Sequence, residues 1–346
     1  MPKVSIVILN WNGAHFLQQF LPPLLTHTHY DWAEIVVADN ASTDNSITLL
    51  QQHFPQVKII QLDRNYGFAG GYNRALSQID AEYYVILNSD VEVTPSWIEP
   101  LLDFMEKHRD VAAIMPKIRS WHQRNYFEHA GAAGGYIDRY GYPFCRGRIF
   151  NTLETDQGQY DKTTEIFWAT GACMMVRAQV FHACGGFDES FFAHMEEIDL
   201  CWRMLWKGYK LYCIPQSTVF HVGGGALPAE NPYKTYLNFR NNLFLLYKNL
   251  ESKLFLATLL QRLLLDYVAA AMFLAQRKFS FFISVLKAHR DFLRSIKVLR
   301  QFRKQHAYLK EKFPASHLIL NKSLVGQYFI RKMRFFSSIM TGNGNG

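Results

Sequence analysis

Paired cysteines are missing from this chain of 346 residues. Cys145, Cys173, Cys184, Cys201 and Cys213 form no CxxC pair and no metal-finger spacing. That excludes a disulfide-stapled scaffold and a zinc finger; an odd number of thiols in apolar contexts reads as reduced and buried. No secretory leader is expected from the first residues either. The apolar run at residues 4–9 is too short, and Asn10-Trp11-Asn12-Gly13 follows it in place of a cleavage site, so the first domain is expected to stay in the cytoplasm. There is no internal repeat. Acidic residues are scarce in the last third: residues 233–346 hold 20 Lys+Arg against 4 Asp+Glu, whereas residues 1–232 hold 17 against 25. The overall charge of +8 therefore hides an acidic front of −8 and a basic tail of +16. Such asymmetry suggests two jobs and a division near residue 232. Hydrophobic residues make up 49%, enough for a substantial core, which excludes global disorder.

What is present is a strand–helix rhythm. Short β-branched or apolar runs at 4–9, 34–39, 57–62 and 83–87 alternate with helical patterns at 14–25, at 44–52 (with Ser42 or Asp44 as cap) and at 67–79. This alternation predicts an α/β fold with a mostly parallel central sheet. Pro22-Pro23 should disturb the end of the first helix. Thr94 and Pro95 look like the cap and first residue of a helix reaching His108. Residues 131–147, rich in Gly, Tyr and Pro, read as a mobile loop. Strand-like composition returns at 167–176 and 212–222, with a polar loop and helix between them at 187–209.

After Pro232 the texture changes to long helices. Residues 254–275 are long and apolar enough to cross a bilayer, yet Thr258, Gln261, Arg262 and Asp266 make a polar stripe, which fits an amphipathic helix better. Residues 284–304 carry a basic stripe through Lys287, Arg290, Arg294, Lys297 and Lys304, suited to an anionic membrane surface. A solvated helix packed on the first domain is the alternative. The terminal Thr-Gly-Asn-Gly-Asn-Gly reads as a flexible tail.

In open α/β sheets, ligands bind beyond the carboxyl ends of the strands. Polar residues gather there: Asn10 after the first strand, Asp39 to Asp44 after the second, Asn88-Ser89-Asp90 after the fourth. Between them lies Arg64-Asn65-Tyr66-Gly67-Phe68-Ala69-Gly70-Gly71-Tyr72-Asn73, whose glycines would let backbone N–H groups approach a phosphate or base ahead of a helix N-terminus.

Taken in order, V-S-I-V-I-L-N-W-N, V-V-A-D-N-A-S-T-D-N-S, R-N-Y-G-F-A-G-G-Y-N and L-N-S-D resemble the nucleotide-sugar-binding half of the family 2 inverting glycosyltransferases of GT-A fold. The branch they resemble is that of bacterial rhamnosyl- and galactofuranosyltransferases. W-A-T-G-A-C-M-M-V-R, G-G-F-D-E-S-F-F, M-E-E-I-D-L-C-W-R and F-H-V-G-G-G continue the family's order, so the resemblance covers roughly residues 3–225. It implies that Asp39 pairs with a pyrimidine and that Asn10, Asn65, Gly67 and Asn73 line the nucleotide. It implies that Asp90, with Asn88 at the first position of the D-x-D motif, holds Mg²⁺ or Mn²⁺ on the donor diphosphate, completed by His221. The Asn at 88 lowers the negative charge, so metal should bind weakly without donor. A general base is implied at Glu197, where the family often has Asp; Glu196 beside it stays open as the base. Trp168 would shape the sugar pocket or serve the core, and Asp199 with Arg203 fits an ion pair four residues apart.

The expected activity is metal-dependent, inverting sugar transfer from a nucleotide-sugar donor to a glycan or lipid-linked acceptor. Rhamnose from dTDP-rhamnose is the first expectation for the donor. The expected place is the inner face of a bacterial cytoplasmic membrane, where the basic tail would hold the protein. A sugar-phosphate nucleotidyltransferase would want a glycine-rich, basic loop after the first strand, which Asn10-Trp11-Asn12-Gly13 is not. A non-catalytic scaffold of the same fold is the other rival. No nucleic acid is expected as a partner, and the oligomeric state, a homodimer included, is open.

Overall fold

The computed structural model describes residues 2–28, 31–223 and 231–341. The glycines at 224 and 225 and the terminal tail from 342 lie outside the described residues. The chain opens with β1 (Val4–Asn10), α1 (Ala14–Thr26), β2 (Ala33–Asp39), α2 (Ser46–His53), β3 (Lys58–Gln61), α3 (Gly67–Leu76) and β4 (Tyr83–Leu87), in the expected alternation. β1 pairs in parallel with β2 and with β4, and β2 in parallel with β3. β1, β2 and β4 are mostly apolar because both faces are covered, the pattern of a buried parallel sheet, whereas β3 at the edge has exposed polar ends.

Next come β5 (Val91–Val93), α4 (Glu99–Lys107), β6 (Val111–Ser120), β7 (Gly135–Asp138), β8 (Pro143–Cys145), β9 (Arg148–Ile149), β10 (Thr152–Leu153) and β11 (Thr164–Glu165). β12 (Cys173–Arg177), α5 (Ala178–Ala183), α6 (Glu196–Trp206) and β13 (Lys210–His221) complete the sheet region. Among the described residues the main sheet has nine strands, in the order β11-β13-β6-β12-β4-β1-β2-β3 with β5 also on β13. β12 runs antiparallel to both its neighbours, and β13 runs parallel to β6.

Four local expectations are overturned. α1 continues through Pro22 and Pro23 to Thr26, because Leu17, Phe20, Leu21 and Leu24 bury one face and packing outweighs the prolines. α4 starts at Glu99 with Pro100 in its first turn; Thr94 instead donates its hydroxyl to the Thr218 carbonyl (2.8 Å). Residues 131–147 are an ordered hairpin: β7 and β8 pair antiparallel within a five-stranded second sheet, and most of the segment is buried. In 167–176 the strand begins only at Cys173.

Beyond Pro232 stand α7 (Pro232–Asn249), α8 (Phe255–Ala275) and α9 (Phe279–Gln305). The C-terminal segment then returns β14 (Ile319–Leu320) to pair in parallel with β7, and α10 (Phe336–Thr341) lays Phe336 against Tyr136 and Phe144.

Candidate active site

Strand ends assemble the site. Asn10 and Asp39 are register partners at the ends of β1 and β2. Asp39 Oδ2 accepts from Asn10 Nδ2 (3.0 Å) and Oδ1 from the Ser42 N–H (2.8 Å); both residues are buried. Asn10 Oδ1 is buried with no partner, an acceptor left available. Asn40 links this corner to the next loop, donating to Asn65 Oδ1 (3.0 Å) and to the Gly67 carbonyl (3.1 Å).

Gly67 has φ +70°, and a Cβ there would lie 2.7 Å from the Phe192 ring. The close approach this glycine permits is made by the chain itself: the Phe192 carbonyl accepts from the Phe68 N–H (3.0 Å) at the start of α3. The amide of Asn73 is likewise engaged, donating to the Phe187 carbonyl (2.8 Å) and accepting from its N–H (2.9 Å). Both residues thus fasten segment 187–192, which leads into α6.

The second corner follows from strand pairing. β5 begins directly after Asp90 and pairs antiparallel with the end of β13, Val91 opposite His221. A register shift in β13 between Ile214 and Thr218 precedes this pairing. His221 Nε2 consequently lies 3.1 Å from Asp90 Oδ1, with Asn88 Nδ2 at 3.4 Å. On the other side of the ring, Nδ1 meets Glu128 Oε2 at 2.9 Å, and Glu128 also accepts from the Ala130 N–H (2.6 Å). All three side chains are buried. Burial alone would lower the imidazole pKa, but hydrogen bonds and charge from Asp90 and Glu128 raise it to about 10. Among the described residues no three His, Cys, Asp or Glu side chains converge as a complete metal cage. The donor set nevertheless fits a divalent ion shared with a diphosphate: one carboxylate, one imidazole held by a carboxylate behind it, and positions left for phosphate oxygens. Glu128 carries no sequence signal; it is 93 residues from His221 in an irregular stretch.

The third part is α6. Before it, Phe192, His194 and Met195 all have positive φ (65°, 69° and 75°), a strained run costing roughly 1–3 kcal/mol per residue. Asn241 on α7 holds it: its amide donates to the carbonyls of Phe191 (2.9 Å), Ala193 (2.8 Å) and His194 (2.7 Å). The sequence does not single this residue out, since α7 also carries Asn238, Asn242 and Asn249. Glu196 is buried and Glu197 half-buried, and each has a carboxylate oxygen without a partner. Burial raises Glu197 to about 7; burial and the neighbouring Glu197 also hold Glu196 well above the usual carboxylate range. Lys234 on α7 is near enough to both Glu128 and His194 for their charges to interact, which links the Asp90–His221 corner to α6.

Asp199, one turn further on, is structural. It is buried, accepts from Arg203 Nε (2.8 Å), Lys248 (2.9 Å) and Asn249 Nδ2 (2.8 Å), and the two cations overcome burial to hold it at about 2. Trp168 is buried over Gly135 with its indole N–H on the Tyr136 carbonyl (2.9 Å).

A model of the group described as glycosyl transferase family 2 matches residues 5–185, just over half of the chain. The chain belongs to glycosyl transferase family 2. This family 2 member is 26% identical over 232 residues to N-acetylglucosaminyl-diphospho-decaprenol L-rhamnosyltransferase of Mycobacterium tuberculosis, covering 63% of this chain and 75% of that protein. It is 24% identical over 228 residues to rhamnosyltransferase WbbL of Escherichia coli, covering 63% and 83%. It is 27% identical over 247 residues to the O-antigen biosynthesis protein RfbC of Myxococcus xanthus, covering 69% of this chain but only 19% of that protein. In fold it is similar to GalNAc-T7 solved with UDP, GalNAc and Mn²⁺ (TM-score 0.57, 16% identity, 91% of this chain and 58% of that one). It is also similar to residues 1–349 of S. aureus TarS (TM-score 0.55, 15% identity, 91% of both chains). The α/β, GT-A expectation is met, with β12, β11 and β5 reversed in an otherwise parallel sheet and helices following it.

Proposed function

We propose that this protein is an inverting glycosyltransferase that moves a sugar from a nucleotide-diphosphate donor to a hydroxyl of a glycan or lipid-linked acceptor in cell-surface glycan synthesis. The observation that carries the reading is the Asp90–His221 contact of 3.1 Å, backed by Glu128. Rhamnose from dTDP-rhamnose is the proposed donor, supported by two relatives named as rhamnosyltransferases. The proposed place of action is the cytoplasmic face of the membrane.

In this reading Asp39 and Asn10 receive the base, Asn65 and Gly67 set the loop beside it, and Trp168 supports the wall behind the sugar. Asp90 and His221 would hold Mg²⁺ or Mn²⁺, and Asn88 tempers the charge there. The ion, when bound, offsets the negative charge that develops on the departing diphosphate. Glu197 takes the proton of the acceptor hydroxyl. Its pKa near 7 leaves a large ionised fraction at neutral pH, and the Glu196 carboxyl beside it is also pushed upward by burial and by Glu197. Attack on the face opposite the diphosphate inverts the anomeric centre. Residues 1–232 would be the catalytic domain and 233–346 its membrane-facing helical extension.

A panel of nucleotide sugars tested by thermal shift with Mn²⁺ or Mg²⁺ checks the donor site, since a donor binding only the folded protein raises its melting temperature. Hydrolysis of the stabilising donor, with and without metal, checks turnover. A protein stabilised by no nucleotide sugar, in either metal, would overturn the reading.

A further inference from the structure

α8 is built inside out. Of its polar residues, Thr258, Arg262 and Asp266 are buried against the protein and Gln261 is exposed, while Leu256, Leu260, Leu264, Val268 and Met272 are each more than half exposed. These five lie at spacings of four residues on one ridge, a continuous apolar stripe along a helix about 32 Å long. Phe279 and Ile283 extend the exposed apolar surface onto the start of α9, which packs beside α8. A patch of this extent on one face marks a docking surface.

The polar ridge fixes how α8 can meet its partner. Arg262 Nε donates to Asp266 Oδ1 (2.7 Å), its Nη1 donates to Asn242 Oδ1, and its guanidinium lies over the Tyr142 ring at 4.0 Å. Asp266 Oδ2 meets His289 Nε2 of α9 at 3.2 Å. By length and composition α8 could cross a membrane. Crossing would break this set and leave buried charges without partners, whereas lying flat keeps it intact.

Charge identifies the occupant. α9 carries seven Lys and Arg and one acid, Asp291. Lys287, Arg290, Arg294 and Lys297 are exposed along it, and Arg277 and Lys278 are exposed at the turn from α8. A second copy docking by the same face would bring like-charged rims together. A surface that is apolar within and anionic at its boundary satisfies both features.

We propose that the outward faces of α8 and α9 seat the protein on an anionic bilayer, α8 lying in the plane of the headgroups with its leucine ridge among the acyl chains. This deepens the proposed function by placing a lipid-linked acceptor beside the site, but it is measured without turnover. The test is co-sedimentation of the full chain with phosphatidylcholine vesicles, with and without phosphatidylglycerol. Binding should require phosphatidylglycerol. L256Q/L260Q/L264Q should weaken it on the order of 100-fold, and R290E/R294E/K297E should weaken it about as much for anionic vesicles. Both variants should keep the wild-type circular dichroism and donor hydrolysis, since neither touches the site. Equal binding by the leucine variant, or no preference of the wild type for anionic vesicles, overturns the proposal. So does a wild-type dimer in sedimentation velocity that the leucine variant abolishes while neither protein binds vesicles. Vesicle binding with no donor hydrolysis under any metal supports the docking face and removes the transfer reading alone.

Discussion

Two buried histidines each meet a carboxylate, and the company around them differs. His221 lies between two acids, Asp90 at 3.1 Å and Glu128 at 2.9 Å. Asp266 lies between two bases, Arg262 at 2.7 Å and His289 at 3.2 Å. The first set has two carboxylates about one imidazole at the open end of a strand pair, with Lys234 near enough to Glu128 for their charges to interact. The second has its carboxylate answered on both sides, along a helix interface. Two acids that share one histidine at a strand end can take a cation from outside; one acid held between two bases is an anchor. Charge balance separates them although both bring an acid to a histidine.

Substitutions sharpen this contrast, from the largest effect on turnover downward. Asp90→Ala should reduce transfer by at least ~10³-fold, read as kcat/KM with saturating Mn²⁺, while Asn88→Ala only weakens it. Wild-type turnover in the Asp90 variant would remove the metal role. Glu197→Gln should cost ~10²–10³-fold, with Glu196→Gln costing less. A base must be ionised, so with its pKa raised to about 7, the wild-type rate should climb with pH through that value and level off above it. Because the two glutamates are adjacent and coupled, the profile reports the pair. Glu128→Gln keeps the shape behind His221 and removes the charge; about 10–100-fold weaker activation by Mn²⁺ is expected, read from metal titrations. Asp266→Ala should leave kcat nearly unchanged and instead lower unfolding stability by about 3–5 kcal/mol in denaturant titrations, since it strands Arg262 in the interior. A large loss of kcat at full stability would erase the distinction between the two sets.

The front of the molecule was legible because strand position dictates what its polar residues can do. An apolar run ending in Asn10, Asp39 or Asp90 places that residue at a sheet edge whatever the helices do, and the parallel register then makes Asn10 and Asp39 partners. His221 was legible for the same reason, as the last residue of a strand. Glu128 was not, because its partner is distant and its own segment has no period. The 131–147 hairpin was hidden by its glycines, which suggest mobility but permit close packing, as where Trp168 covers Gly135. The polar spacing in α8 was visible, but its direction was not. Polar stripes ordinarily face water; here Asn242, Tyr142 and His289 satisfy this one from within, and only the packed structure shows them.

Asn241 carries a consequence for how the chain could be shortened. Every motif that resembles the family lies before residue 226, so a protein ending near 232 would keep all of them. It would lose the amide that gathers the carbonyls of Phe191, Ala193 and His194 in the bend ahead of Glu196. Such a fragment should bind nucleotide at one end while its two glutamates drift at the other, a reader of donors with no grip on the acceptor.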